Sequence, residues 1–415
     1  MNRRRLLSSC FALALVLCGC GKAAKPRPTE PWATGFWVWN AEAAAPSSAI
    51  VDVLYVQAPF SDKVPKAREY WLTFRESNVC PNRIVSPAGQ TTIYDPLGDR
   101  LVTANIPGWM DALKGRSVRG LQLDIDCPTR SLVDYAKFLA EVRKQLPPGK
   151  ELSITALLDW FRDGTDIAKV IEQVDEFVPQ FYDVGNAYDD PVIAAKVDAE
   201  KWAPRFNRFE KRYRIGISTF GRGRLPFSRK LYRAIMPLDV ANDRNYRLTS
   251  EHNESGELVL NYDPIQGGER TQFIVPTPES VRAAVESAKK MGGYAAGVVF
   301  FRWPNAEETL VMPPEEVLGL PLQAAALETE AGDCVAVSCA DLYLVRASRF
   351  TPAEVEYRIH TSIDIEYAVP SELLPIRVTS PKEMVVRIPP FGAKPKLHLG
   401  RVVTSKPAVF TLEVR

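Results

Sequence analysis

From Trp32 to about Leu320, short apolar runs alternate with stretches whose apolar residues return every three or four positions. This alternation of strand-like and helix-like segments predicts an α/β fold with parallel strands. Eight runs qualify as strands: Gly35–Trp39, Val51–Gln57, Leu101–Ile106, Gly120–Asp126, Glu151–Leu158, Glu176–Tyr182, Arg214–Thr219 and Gly297–Trp303. Eight strands over roughly 290 residues match what a closed (β/α)8 TIM barrel requires. Between them, Ser131–Gln145 carries Leu132, Tyr135, Phe138, Leu139 and Val142 at helical spacing. Pro276-Thr-Pro-Glu-Ser opens a second helix over Val281–Met291, and Gly292-Gly293 closes it. Between the seventh and eighth strands, Leu258–Tyr262 and Thr271–Val275 flank a Gly-Gly turn, which predicts a hairpin inserted on the barrel rim.

After Leu320 the period changes to two. Val355, Tyr357, Ile359, Thr361, Ile363, Ile365 and Tyr367 alternate with Glu356, Arg358, His360, Ser362, Asp364 and Glu366. One buried face along a strand, or a bent pair of strands, explains that alternation. Met384–Ile388, Leu397–Val403 and Ala408–Val414 add shorter strands, so residues 321–415 read as a small, sandwich-like all-β domain. This domain either packs on the barrel or offers a surface to a protein or glycan partner.

The N-terminus has a different logic. Arg3, Arg4 and Arg5 precede the apolar run Leu6–Leu17, which is too short to span a bilayer and has the layout of a secretory signal. The run closes on Leu17-Cys18-Gly19-Cys20, which resembles a bacterial lipobox with cleavage before Cys20 and lipid on its sulfur; cleavage near Ala23 or Ala24 is the alternative. Residues 20–31 then form a proline-rich, basic tether. The resulting division is signal 1–19, tether 20–31, barrel 32–320 and β-rich domain 321–415. The expected location is the outer membrane, facing the periplasm, with the membrane engaged through the anchor at Cys20.

The formal charge of +2 comes from the signal, because without its three arginines 49 Lys and Arg face 50 Asp and Glu. A near-neutral chain without a basic module argues against nucleic acid as a partner. With three histidines and no Cys-x-x-Cys pair, no metal site or cofactor is expected. Cys80, Cys127, Cys334 and Cys339 remain for disulfides in an oxidising compartment; pairing 80 with 127 and 334 with 339 is one of three connectivities.

The chemistry concentrates in Gly120-Leu-Gln-Leu-Asp124-Ile-Asp126-Cys-Pro128. Strand alternation puts Gln122, Asp124 and Asp126 on one face and Leu121, Leu123 and Ile125 on the other. Three polar side chains on one face suit the inside of a barrel that opens into a polar site. Two neighbouring carboxylates can also divide the roles of acid and base. Read from the residues alone, the same two aspartates could be structural, paired with an arginine at the strand end. Likewise Trp37 and Trp39 could simply pack the barrel, and Gly221-Arg-Gly-Arg224 is either an anion site or, more simply, a flexible turn.

These residues resemble the fourth-strand signature of glycoside hydrolase family 18, the chitinase-like barrels, which reads Asp-Gly-x-Asp-x-Asp-x-Glu. Aligned on it, Arg119, Gly120, Gln122, Asp124 and Asp126 occupy the five fixed positions. Val178-Pro-Gln180-Phe-Tyr182-Asp183 is similar to the family's Met-x-Tyr-Asp, and Gly297–Trp303 to its closing Gly-to-Trp strand. The chain also resembles a set of bacterial lipoproteins grouped under a domain of unknown function, DUF3142. The family 18 resemblance implies a retaining, substrate-assisted hydrolase of an N-acetylated glycan. Asp126 would then be the acid, Asp124 the group that steadies the substrate's acetamido group, and Tyr182 the group that orients it. Gln122, Gln180 and Asp183 would form the polar floor, and Trp37, Trp39 and Trp303 the faces on which a sugar stacks. Asp126 stands where the signature has Glu, which shortens the acid by about 1.5 Å. The alternative is therefore a non-catalytic barrel that binds glycan or protein.

Overall fold

A computed structural model describes residues 31–76, 91–95, 100–104, 106–182, 195–225, 228–232, 246–268, 270–306, 308, 310–321, 324–345, 354–371, 376–388 and 396–414. Eight parallel strands close a barrel in chain order: β1 (Ala33–Val38), β2 (Val51–Gln57), β3 (Ala67–Glu76), β4 (Gly120–Ile125), β5 (Glu151–Leu157), β6 (Glu176–Gln180), β7 (Arg212–Ser218) and β8 (Ala295–Phe301). β8 pairs with β1 to complete the ring, with Gly297 opposite Ala33 and Phe300 opposite Phe36. Gly297 has φ +153°, and a Cβ there would lie 1.9 Å from the Ala33 carbonyl oxygen, so this seam admits only glycine.

The third strand corrects the sequence reading. Leu101–Ile106 is not in the barrel: Arg100–Ala104 pairs antiparallel with Thr91–Asp95, and Ile106 begins a helix. The barrel strand is instead Ala67–Glu76, whose inward side chains include Glu69, Trp71, Thr73 and Arg75 and whose outward ones include Tyr70, Leu72 and Phe74. Charge on the inner face hides its hydrophobic period. The other seven strands lie where apolar periodicity put them, with ends shifted by up to two residues.

Two apolar cores follow from the alternation. Outward residues such as Phe36, Leu54, Leu121, Leu123, Ile154 and Phe177 meet helices α1 (Ile106–Leu113), α2 (Leu132–Gln145), α3 (Ile167–Glu172), α4 (Ala199–Asn207) and α5 (Pro278–Lys289). Inward residues Trp37, Tyr55, Trp71, Val178, Tyr182, Val299 and Phe301 form a separate cluster inside the barrel. α5 starts at the capping box of Thr277 and Ser280, with Pro278 in its first turn. Gly292 and Gly293 follow its end, both at positive φ.

The insertion between β7 and β8 is larger than a hairpin. Arg222–Leu225, Ser228–Tyr232, Tyr246–His252, Leu258–Pro264 and Thr271–Val275 make a five-stranded antiparallel sheet. Arg222 is therefore in a strand rather than a turn, and it is buried in an ion pair with Glu257. C-terminally, two four-stranded antiparallel sheets share one core. One holds 326–331, 338–345, 396–404 and 365–370; the other holds 376–380, 383–388, 355–361 and 410–414. Leu342, Leu344, Leu397, Leu399 and Val402 of the first sheet pack on Tyr357, Ile359, Met384, Val386 and Ile388 of the second. The period-two run thus supplies a strand to each sheet, with a break between Thr361 and Ile365. Cys334 and Cys339 form a disulfide, and Cys127 is disulfide-bonded to a partner outside the described residues. Cys80, Cys20, the signal and nearly all of the tether also lie outside them. No helix among the described residues is long and apolar enough to cross a membrane.

Candidate functional site at the barrel mouth

Side chains inside the barrel stack in layers from the N-terminal to the C-terminal ends of the strands. The lowest layer is ionic. Glu69, Glu151 and Glu176 face Arg119, Arg212 and Arg214: Arg119 reaches Glu69 at 2.8 Å and Glu151 at 3.0 Å, Arg212 reaches Glu176 at 2.9 Å and also pairs with Glu151, and Arg214 pairs with Glu176. Tyr55 donates to Glu176 at 2.5 Å and accepts from Arg214 at 2.8 Å. Burial alone would push the Glu176 carboxyl up. Arg214, Arg212, the Tyr55 hydrogen bond and Arg119 outweigh it and hold Glu176 below its ordinary value. Arg119, the first position of the signature, therefore belongs to the far end of the barrel.

Above this layer, Gln122 is fully buried and occupied. It accepts from Trp37 Nε1 at 2.6 Å and from Thr73 at 3.4 Å, and donates to Ser153 at 3.3 Å. Trp37 lies edge-on to Tyr182 and Phe301, each at 5.9 Å between centroids. Gly216 makes this packing possible, because a Cβ there would stand 3.2 Å from both Trp37 and Tyr182. Gln122 and Trp37 thus form a closed floor beneath the mouth.

The next layer holds Asp124. Its Oδ1 accepts from Thr155 at 2.7 Å and from Gln180 at 3.2 Å, and its Oδ2 stands 3.7 Å from Arg75 Nε. These contacts suit an ionised carboxylate. Arg75 is the direct cross-strand partner of Asp124 in the β3–β4 register. Its guanidinium also lies 5.2 Å from the centre of the Trp39 ring.

Asp126 follows the end of β4 and is half-buried. The Cys127 amide donates to the Ile125 carbonyl at 2.9 Å, which sets Asp126 at the apex of a three-residue turn. Trp160 Nε1 holds the next step of the chain by donating to the Cys127 carbonyl at 2.8 Å. Tyr135 reports on both aspartates: burial pushes its phenol well above the ordinary value, and the charges of Asp124 and Asp126 add to the effect.

Tyr182 follows β6 and stacks on Phe301 at 4.6 Å and 15°. Trp39 meets Phe301 edge-on at 5.5 Å. Trp303 is elsewhere: it packs in the outer core against Phe36 and donates to the Ala45 carbonyl, and with 1% of its surface exposed it offers no stacking face. β8 ends at Phe301, so the period of two that points residues 297, 299 and 301 inward stops before Trp303. Asp183 lies outside the described residues. The mouth therefore gathers Asp124, Gln180, Tyr182 and Trp39 from the sequence reading, with Asp126 one residue past the end of β4, and adds Arg75, Thr155 and Phe301. Counting by two along β5 and β8 would have found Thr155 and Phe301; Arg75 was lost with its strand.

No group of three or more His, Cys, Asp and Glu side chains suited to a metal ion occurs among the described residues. A cavity of about 340 Å³ lies away from these carboxylates, bounded by Phe181, Val197, Pro276 and α5.

The profile of a family described as a domain of unknown function (DUF3142) matches residues 97–306. Comparison with curated proteins finds no match. Among solved structures, the chain is similar to the Bacillus cereus spore cortex-lytic enzyme SleL (13% identity, 71% of this chain and 74% of that one, TM-score 0.46). It is also similar to a chitinase from Chromobacterium violaceum (12%, 70% and 88%, 0.40) and to the Group IV chitinase of Ostrinia furnacalis (10%, 65% and 92%, 0.43).

Proposed function

Because the chain belongs to the family described as a domain of unknown function (DUF3142), we propose its role from the chemistry of the barrel mouth: it acts on an N-acetylated glycan as a retaining, substrate-assisted glycoside hydrolase. The observation that carries this reading is the pair Asp124 and Asp126 at the C-terminal end of β4, in two unlike environments. Asp124 is held by Thr155, Gln180 and Arg75, which suits a carboxylate that stays charged and steadies a positively polarised acetamido group. Asp126 sits higher, at the apex of a turn, where a general acid can meet a leaving oxygen. Tyr182 borders the same space from β6 and would orient the acetamido oxygen.

Turnover of a panel of N-acetylated oligosaccharides tests this directly. Wild type is expected to release reducing ends and Asp126→Asn to lose at least a hundredfold in rate while still binding, in keeping with the usual contribution of ~10²–10⁴ from a general acid. A second reading, a barrel that binds glycan without cleaving it, draws on the shorter arm of Asp126 relative to the glutamate of the family 18 signature. An inert wild type whose binding survives Asp126→Asn would establish the second reading and overturn the first.

We also propose that Cys20 carries the lipid and that the domain faces the periplasm from the outer membrane. Incorporation of labelled fatty acid is expected in the wild type and absent in Cys20→Ala. A protein partner held through residues 321–415 would be lost when those residues are deleted.

A further inference from the structure

Among the described residues, two side chains at the mouth have donors that lack acceptors. The indole Nε1 of Trp39 is buried and has no hydrogen-bond partner among them. Among the described residues, the Arg75 side chain makes no hydrogen bond: its Nε faces Asp124 at 3.7 Å, beyond bonding distance, and its guanidinium lies over the Trp39 ring. Asp124 Oδ2 pairs with this cation at a distance too long for a hydrogen bond, so the guanidinium N–H groups of Arg75 have no acceptor among the described residues. The Arg75 side chain is 29% exposed, so it is accessible from the mouth. A buried N–H without an acceptor is costly, and a planar guanidinium held over an aromatic ring is pre-oriented for a bidentate acceptor. One chemical group answers both needs: an anionic oxygen pair.

We propose that Arg75 and Trp39 form a carboxylate subsite beside the Asp124–Asp126 pair, so that the glycan taken at this mouth carries an acidic sugar. The inference rests on the glycan reading above and narrows it to a class. The carboxylate docks on the terminal nitrogens of Arg75 and accepts the Trp39 N–H. Arg75 is then a specificity residue whose charge is shared between ligand and Asp124.

Titration calorimetry on the intact protein, with Asp126→Asn used to prevent turnover, decides the matter. Three tetrasaccharides serve as probes: a neutral N-acetylglucosamine chain, an alternating N-acetylglucosamine–glucuronate chain, and an N-acetylglucosamine–N-acetylmuramate chain without peptides. The last two separate a ring carboxylate from a lactyl one. At low salt at least one acidic chain is expected to bind about 10- to 100-fold more tightly than the neutral chain, the range of a hydrogen bond to a charged group. Arg75→Gln should abolish that preference, and Arg75→Lys should restore only part of it. Trp39→Phe keeps an aromatic face and removes the N–H; it should weaken the acidic ligand several-fold more than the neutral one, so that the acidic-to-neutral ratio of affinities falls. Equal affinity for acidic and neutral chains, or a preference that survives Arg75→Gln, overturns the subsite and leaves the glycan reading intact. If none of the three chains binds, both readings fall together.

Discussion

The two ends of the barrel interior are built from the same kinds of side chain and do opposite things with them. At the N-terminal end, three glutamates and three arginines close on one another and on Tyr55, with Glu176 fully buried. At the C-terminal end, Asp124 has its donors, Asp126 is half-buried, and Arg75 and Trp39 keep side-chain donors without acceptors among the described residues. A largely paired buried network fixes the ring of strands, although Arg214 Nε within it has no hydrogen-bond partner among the described residues. An open one retains charge and hydrogen bonds to give. Barrel chemistry generally sits at the C-terminal ends of the strands, which is the end proposed to meet the glycan.

The largest effect should come from breaking the closed end. Glu176→Ala leaves Arg214 and Arg212 without their shared carboxylate and should destabilise the protein by about 3–5 kcal/mol in urea unfolding, as removing one partner of a buried pair does. A change under 1 kcal/mol would show that the network is not structural. The same residue sets a pH dependence. Its folded carboxyl is held below its ordinary value, so its stabilisation is full above the unfolded carboxylate range and drains away as pH falls through the depressed folded value. Glu176→Gln should flatten that acid limb, which pH-dependent unfolding curves would reveal.

At the open end, Asp126→Glu asks whether reach limits catalysis. Restoring the methylene should raise turnover about tenfold or more if the acid now falls short, since a misplacement of ~1 Å can cost about a hundredfold. A fall in rate would mean that the turn at Asp126 already brings the backbone closer to the sugar. Gly216→Ala probes the boundary between the two ends. Its methyl would press on Trp37 and Tyr182, destabilising by ~1–3 kcal/mol and lowering glycan affinity together. Thr155→Val should have the mildest effect, about 1 kcal/mol or slightly more from the lost hydrogen bond to Asp124. Kinetics should register this as a modest fall in kcat at unchanged KM.

Legibility in the sequence followed the same division. Strands whose outer faces are apolar and whose inner faces are mixed announced themselves, and β4 did so with its carboxylates in place. β3 did not, because Glu69, Thr73 and Arg75 break its apolar run and the barrel spends that strand on polar contacts at both ends. Missing β3 meant missing Arg75, the cation that faces Asp124. Trp303 departs from the expectation for a different reason: a period of two holds only as long as the strand does, and β8 ends at Phe301.

By itself, the sequence determined the elements that local periodicity and punctuation specify. These are seven of the eight barrel strands, the helix opened by Pro276–Ser280 and closed by Gly292-Gly293, the period-two strand character of residues 355–367, and the shared face of Gln122, Asp124 and Asp126. Tertiary structure alone decided which of those inward residues are spent and which are available. Gln122 is consumed by Trp37, Thr73 and Ser153, Arg119 by Glu69 and Glu151, and Trp303 by the outer core. Arg75 and Trp39 keep side-chain donors without acceptors among the described residues. The physical reason is that alternation along a strand depends on neighbours in sequence, whereas satisfaction of a buried charge or N–H depends on residues that closure of the barrel brings from far along the chain.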